Sequence, residues 1–283
     1  MTSKSPIALV TGASSGIGKA TAERLTEAGY TVYGTSRRGG SDGQHRFEML
    51  ALNVNVDASV TQAVDTVLKR EGRIDVLVNN AGFGVAPAGA EESTIEQARE
   101  IFETNFFGLV RMTRAVLPQM RRQGSGRIIN IGSVLGLLPM PYGALYSATK
   151  HAVEGYSESL DHELRTRGIR VSVIEPAFTR TAFDANVVEP DATIAEYGDN
   201  RAALNQLLQD SIAKGDDPRV VAEVVLEAAN AAHPRLRYSA GRLAGRLSLL
   251  RRFAPTALVD AGIRKDFKLD AVPTRPRFSA TSK

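Results

Sequence analysis

Residues 7–18 read Ile-Ala-Leu-Val-Thr-Gly-Ala-Ser-Ser-Gly-Ile-Gly. The uninterrupted apolar run Ile7 to Val10 suits a short strand covered on both faces, as in a parallel sheet. The glycines behind it end the strand and open a helix predicted over 17–28. Gly12 permits a tight turn, Gly16 lets backbone approach a bound group, and Gly18 allows a helix to pack closely on the sheet. A helix N-terminus presents unpaired N–H groups and a partial positive charge, so phosphate is its natural ligand. In this context Gly12, Ser14, Ser15, Gly16, Ile17 and Gly18 form a candidate phosphate loop for a dinucleotide.

Outward from this unit, short apolar runs alternate with helical segments, the pattern of βαβ units. Strands are predicted at 6–10, 31–35, 47–52, 74–78, 127–131 and 169–174, with a weaker one near 235–239. Helices are predicted near 17–28, 58–70, 95–122, 145–167 and 218–231, with Asp57 as N-cap of the second and Gly29 closing the first. The fold class is therefore α/β: a doubly wound parallel sheet of Rossmann type, about seven strands with helices on both faces. With no internal repeat or low-complexity linker, residues 1–270 are expected to form one domain, and the Pro- and Ser-containing end, 271–283, to be mobile.

Of the 283 residues 43% are hydrophobic and 23% charged, enough for a full core in a soluble chain. There is no cysteine, hence no disulfide or thiolate metal site, and the four histidines lack metal-ligand spacing, so no metal is expected. The first six residues are polar and residues 7–10 are too short to span a membrane, which makes the cytoplasm the expected location. Residues 233–283 carry 12 Lys and Arg against 3 Asp, a balance of +9, against −5 for the rest. Nucleic acid, anionic lipid or an acidic substrate could meet such a surface. No groove-reading motif accompanies the charge, so nucleic acid is not expected. A solvated surface with at most weak peripheral membrane contact is the reading.

Two further stretches carry chemistry. At the end of the second strand stands Thr35-Ser36-Arg37-Arg38, with no carboxylate to receive ribose hydroxyls or repel a 2′-phosphate. Arg37 and Arg38 beside small hydroxyl residues make an anion site, which predicts NADP over NAD. Farther on, Tyr146 and Lys150 lie four apart in Tyr-Ser-Ala-Thr-Lys, on one face of a helix, with Ser133 upstream. An ammonium beside a phenol favours the phenolate and is expected to lower its pKa toward neutrality.

These motifs, with Asn79-Asn80-Ala81-Gly82 and Asn105, occur in the order and spacing of the short-chain dehydrogenase/reductase family, which the chain resembles over residues 5–182. The resemblance implies that Tyr146 is the general acid in reduction and the base in oxidation. Ser133 would bind the substrate oxygen, and Lys150 the nicotinamide ribose. Asn105 would hold a water that links Lys150 to solvent. It also implies that Asn53 and Val54 meet the adenine, that Asn80, Ala81 and Gly82 pack by the ribose, and that Asn79 is structural. After the sixth strand the family has Pro-Gly followed by a Thr at the carboxamide. This chain has Pro176-Ala177-Phe178-Thr179-Arg180-Thr181, so Thr181 keeps the spacing and Thr179 is an alternative.

By the same resemblance, residues 182–217 form a substrate lid, here with Phe183, Val187, Val188, Ile194, Tyr197, Leu204, Leu207 and Leu208, although plain core packing accounts for most of these apolar residues equally well. Pro139, Met140 and Tyr142 would line the same pocket. The expected activity is NADP(H)-dependent interconversion of a carbonyl and an alcohol on an apolar lipid-like, steroid-like or aromatic small molecule. The alternatives are reduction of a 3-oxoacyl thioester, or a catalytically silent dinucleotide-sensing protein. Family members pair two long helices across a two-fold axis, so a homodimer or homotetramer is expected from 95–122 and 145–167.

Overall fold

The computed structural model describes residues 5–40, 45–181, 187–267 and 269. Seven parallel strands form one sheet: β1 (Ile7–Val10), β2 (Thr31–Ser36), β3 (Glu48–Ala51), β4 (Val76–Asn79), β5 (Gly126–Ile131), β6 (Ile169–Pro176) and β7 (Arg237–Ala240). Their order across the sheet is β3-β2-β1-β4-β5-β6-β7. Between β1 and β4 the winding direction reverses, and a crevice opens there at the strands' carboxyl ends.

The helices are α1 (Gly16–Glu27), α2 (Asp57–Glu71), α3 (Ile95–Phe102), α4 (Gly108–Gln123), α5 (Ala144–Leu164), α6 (Gly198–Ala213), α7 (Pro218–Asn230), α8 (Arg242–Phe253) and α9 (Thr256–Asp266). Alternation along β1 divides the core. Ala8 and Val10 pack with α1 and α7 on one face, and Ile7 and Leu9 with α2, α4 and α5 on the other. Each fully buried Leu or Ile in these layers contributes about 1.5–3 kcal/mol.

The structure corrects several expectations. Val56, not Asp57, occupies the N-cap of α2, and Asp57 is its first helical residue. The single helix expected over 95–122 is broken by a π-turn at Glu103–Phe107, which separates α3 from α4. The helix expected over 145–167 ends at Leu164 and continues as a 3₁₀ turn, Arg165–Arg167. The lid contains a full helix, α6, and the basic C-terminal part folds into α8 and α9. Gly29 does follow α1 with φ +90, and the Tyr30 amide behind it donates to Leu25 O. Phe183 and the segment 271–283 lie outside the described residues.

Candidate active site

The glycine loop is fixed at both sides. Thr11 N donates to Val78 O (2.9 Å) on β4, and Ala13 N to Thr35 O (2.8 Å) on β2. Gly12 and Gly16 take φ of +67 and +54, a region that side chains resist. A Cβ on Gly18 would sit 2.2 Å from the Gly12 carbonyl oxygen, so α1 reaches the loop only because that position is glycine. Ser15 caps α1 without a side-chain hydrogen bond. The first-turn amides are therefore available to a ligand, and Ser14, Ser15, Gly16 and Ile17 line the cleft. This donor set fits a dinucleotide pyrophosphate.

Asn80 braces the loop from behind, its Nδ2 donating to Thr11 O (2.9 Å) and Gly12 O (3.1 Å). The Thr11 hydroxyl in turn accepts from Asn80 N and Ala81 N. Asn79 points the other way, into the core, and donates to Asn130 Oδ1 (2.9 Å), whose amide donates to Ser157 Oγ (2.9 Å). Asn53, Val54, Asn80, Ala81, Gly82 and Arg37 all line the cleft, whereas Arg38 is exposed and does not. Gly18 is buried against Gly12 and is likewise outside the lining.

A single cleft of about 1380 Å³ joins this loop to Ser133, Tyr146, Lys150 and Asn105. Ser133 follows β5 and is positioned by Gly132 N, which donates to Ile174 O (2.8 Å). Tyr146 opens α5 at the cleft wall. Lys150, one turn on, is buried and donates from Nζ to Ile131 O (2.8 Å), lying over the Tyr146 ring 5.5 Å from its centroid. Removal from water lowers the lysine to about 8, against which Glu154 raises it. The same loss of solvent pushes the Tyr146 phenol upward. The lowered phenol expected from the lysine is thus not reproduced, because desolvation is the controlling influence on Tyr146.

Asn105 lies in the π-turn, and such turns favour functional positions. Its Oδ1 accepts from Phe83 N (3.0 Å) and its Nδ2 donates to Phe83 O (2.9 Å), so the amide ties the broken helix to the loop after β4. Pro176, Thr179 and Thr181 line the cleft. A Cβ on Gly16 would touch Thr181 Cβ at 3.2 Å, which places Thr181 over the glycine loop. The Thr179 hydroxyl donates to Ala177 O (3.2 Å).

Behind Lys150 lies an acidic cluster that the motifs did not announce. Glu154, one turn along α5, and Glu175, at the end of β6, share Arg237 at 2.9 and 3.7 Å. One oxygen of each carboxylate is buried without a hydrogen-bond partner. Burial, then the Glu154 charge, raises Glu175 to about 7, against the pull of Arg237. Two carboxylates with one guanidinium between them titrate as a coupled group.

The apolar end of the cleft is walled by Pro139, Met140, Val187, Val188, Leu207 and Leu208. Tyr142 departs from expectation. It takes φ +60 and meets Asn200 and Tyr197 outside this wall. Ile194, Tyr197 and Leu204 also lie off the cleft, and Leu204 is core. Leu243, Leu247, Ile263 and Phe267 of the C-terminal part complete the wall and were not foreseen. The Leu243–Leu247 spacing of four was the signal available. Glu92 was missed as well: fully buried, it accepts from Gly89 N (2.7 Å), Ile194 N (2.8 Å) and Arg201, clamping the lid to the body.

Comparison with known proteins agrees with this geometry. The short chain dehydrogenase family profile matches residues 6–192. A 3-ketodihydrosphingosine reductase of Bacteroides thetaiotaomicron is 40% identical over 239 residues, 84% of this chain and 88% of that protein. A short-chain dehydrogenase from Streptomyces avermitilis superposes with a TM-score of 0.77 at 34% identity, over 94% of this chain and 97% of the other. A Burkholderia phymatum short-chain dehydrogenase solved with NAD gives a TM-score of 0.73 at 27% identity (96% and 98% covered). One from Burkholderia cenocepacia solved with NADP gives 0.72 at 26% (92% and 99% covered). With the sheet order, the glycine loop and the Ser133, Tyr146, Lys150 cleft in place, the chain belongs to the short-chain dehydrogenase/reductase family.

Proposed function

We propose that this oxidoreductase is NADP(H)-dependent and interconverts a carbonyl and an alcohol on an apolar, lipid-like small molecule. The observation that carries the reading is the single cleft in which an open helix N-terminus, Arg37, and Ser133 with Tyr146 and Lys150 share one wall with apolar residues at the far end. The phosphate amides of α1 would hold the pyrophosphate, and Arg37 the 2′-phosphate, with Thr35 and Ser36 beside it and no carboxylate to oppose it. The nicotinamide, when bound, supplies or receives the hydride. Ser133 then orients the substrate oxygen and stabilises charge on it, Tyr146 gives or takes the proton at that oxygen, and Lys150 holds the ribose. Thr181 or Thr179 would meet the carboxamide. The apolar wall and the likeness to a reductase named for a long-chain keto lipid support a lipid-like substrate.

The test is NADPH oxidation against a panel of long-chain ketones, aldehydes, quinones and 3-oxoacyl thioesters. Arg37→Ala should raise the NADP(H) dissociation constant at least about tenfold, the size of one charge-assisted phosphate contact. NAD(H) affinity should stay nearly unchanged. Equal losses for both cofactors would remove Arg37 from the phosphate site.

A closed homo-oligomer belongs to the same reading. Phe107, at the junction of the π-turn and α4, is 47% exposed, and its neighbour Phe106 packs edge-on against Tyr156 of α5. That apolar edge suits an isologous contact. Light scattering should give a dimer or tetramer, and a 30.4 kDa species alone at micromolar concentration would contradict it.

A further inference from the structure

The surface that the catalytic reading leaves unused is the outer face of α8 and α9. At about 100° per residue, α8 separates into three faces. Ala244 is fully buried against the body, and Arg251 Nε is anchored on Leu137 O (3.0 Å). Leu243 and Leu247 line the cleft. The third face carries Arg242, Arg246, Leu249, Arg252 and Phe253, with Leu249 60% and Phe253 73% exposed. On α9, Leu258 (65% exposed) stands one face with Lys265, while Ile263 turns into the cleft. From 242 to 267 the chain holds six Lys and Arg against two Asp.

What distinguishes this face is that its charge coincides with exposed large apolar side chains. Arginines such as Arg24, Arg111, Arg170, Arg201 and Arg237 close on carboxylates, whereas others, Arg37 and Arg121 among them, form no ion pair with any described residue. Among the described residues, Arg242, Arg246, Arg251 and Arg252 have no carboxylate partner. Arg252 lies over the Phe253 ring, 5.3 Å from its centroid. Leucine and phenylalanine among guanidiniums that meet no carboxylate gain nothing in water or on a nucleic-acid backbone, which needs only the charge. At a lipid interface both parts are used, because the rings and branched chains enter the acyl boundary while the guanidiniums reach the anionic headgroups. The cleft opens at the same place, since Leu207 and Leu243 line it and are also exposed, at 37% and 42%.

We propose that α8 and α9 dock the protein on anionic lipid bilayers, in the plane of the interface and with the apolar mouth of the cleft against the membrane. A lipid-like molecule could then enter without crossing water. The docking rests on this surface and not on the assignment of the reaction, so it stands or falls separately. Among the described residues no helix is long and apolar enough to cross a membrane, and the attachment is peripheral.

Flotation of the full chain with vesicles tests it. Binding is expected to mixed phosphatidylcholine–phosphatidylglycerol vesicles, not to phosphatidylcholine alone, and should weaken as salt screens the headgroups. Arg246→Gln with Arg252→Gln should lower the partition coefficient at least about tenfold. Leu249→Ser with Phe253→Ser should do the same, since apolar burial supplies the remainder. Neither pair lines the cleft, so both variants should keep the parent's melting temperature and its affinity for NADP(H). Failure of the parent chain to bind anionic vesicles at low salt overturns the proposal. So does equal binding to neutral vesicles, or light scattering in which Leu249→Ser/Phe253→Ser dissociates a parent oligomer, which would make this face a contact between copies of the chain.

Discussion

Tyr146→Phe is expected to lower turnover by about 10²–10⁴-fold, the usual worth of a positioned general acid, while NADP(H) affinity stays close to that of the parent. The substitution keeps the ring beneath Lys150 Nζ and removes only the hydroxyl, the atom assigned to protonate the nascent alkoxide. Lys150→Ala should lose cofactor affinity as well, because its ammonium is assigned to the ribose and, in this chain, also ties α5 to Ile131 O. The pH profile follows from two opposite shifts. Desolvation raises the phenol, so the protonated form that reduction requires is retained through neutral pH and beyond. It lowers Lys150 to about 8, so reduction should fall above that pH as the ammonium is lost. Oxidation needs the phenolate and should depend on charge brought by the bound cofactor. Near-normal turnover of Tyr146→Phe on a verified substrate would return the Tyr–Lys pair to a packing role.

The parts of this molecule that were legible in the sequence are those where local chemistry and tertiary structure make the same demand. Ile7–Val10 is apolar throughout because both faces of β1 are covered. Gly18 is fixed because the Gly12 carbonyl leaves no room for a Cβ. All seven strands lie within two residues of their expected bounds. The π-turn was hidden because nothing in Glu-Thr-Asn-Phe-Phe breaks a helix; it accompanies the two bonds that Asn105 makes with Phe83, fixed by a loop more than twenty residues earlier. The Glu154–Glu175 pair was hidden for a similar reason, since a carboxylate on a helix normally reads as surface. Only the approach of β6 and β7 brings the two together around Arg237. Helix α6 was readable from Leu204, Leu207, Leu208 and Ile212, which recur at helical spacing, but the same residues suit an irregular apolar lid equally well. Arg38 shows the limit of motif reading: both arginines lie in the turn that follows β2, closed by Gly39 N on Ser36 O, and only Arg37 lines the cleft.

Asp161→Ala should destabilise the fold strongly, although the residue lies outside the cleft. Asp161 is fully buried on α5, where its Oδ1 accepts from Arg170 Nε (2.8 Å) and Val171 N (3.0 Å), and its Oδ2 from Arg165. It joins the helix that carries Tyr146 and Lys150 to β6, the strand that leads to Pro176 and Thr181. Removing it leaves a largely buried guanidinium and a backbone amide without an acceptor, a loss of about 3–5 kcal/mol. In a chain of this size that corresponds to a drop in melting temperature of roughly 10 °C. Asp161→Asn retains the shape and an acceptor oxygen and should lose less. Burial alone would raise this carboxyl, but Arg170, the Val171 amide and Arg165 outweigh it and hold it at about 2, below the ordinary 3.8. A depressed carboxyl contributes stability that is present above its unfolded value and lost as pH falls through its folded one. The advantage of the parent over Asp161→Asn should therefore be constant above about pH 4, shrink below it, and be gone once the pH falls below the folded value of about 2. Calorimetry at neutral pH decides the main point, since an alanine variant melting almost with the parent would show that α5 and β6 are held by packing and not by this carboxylate.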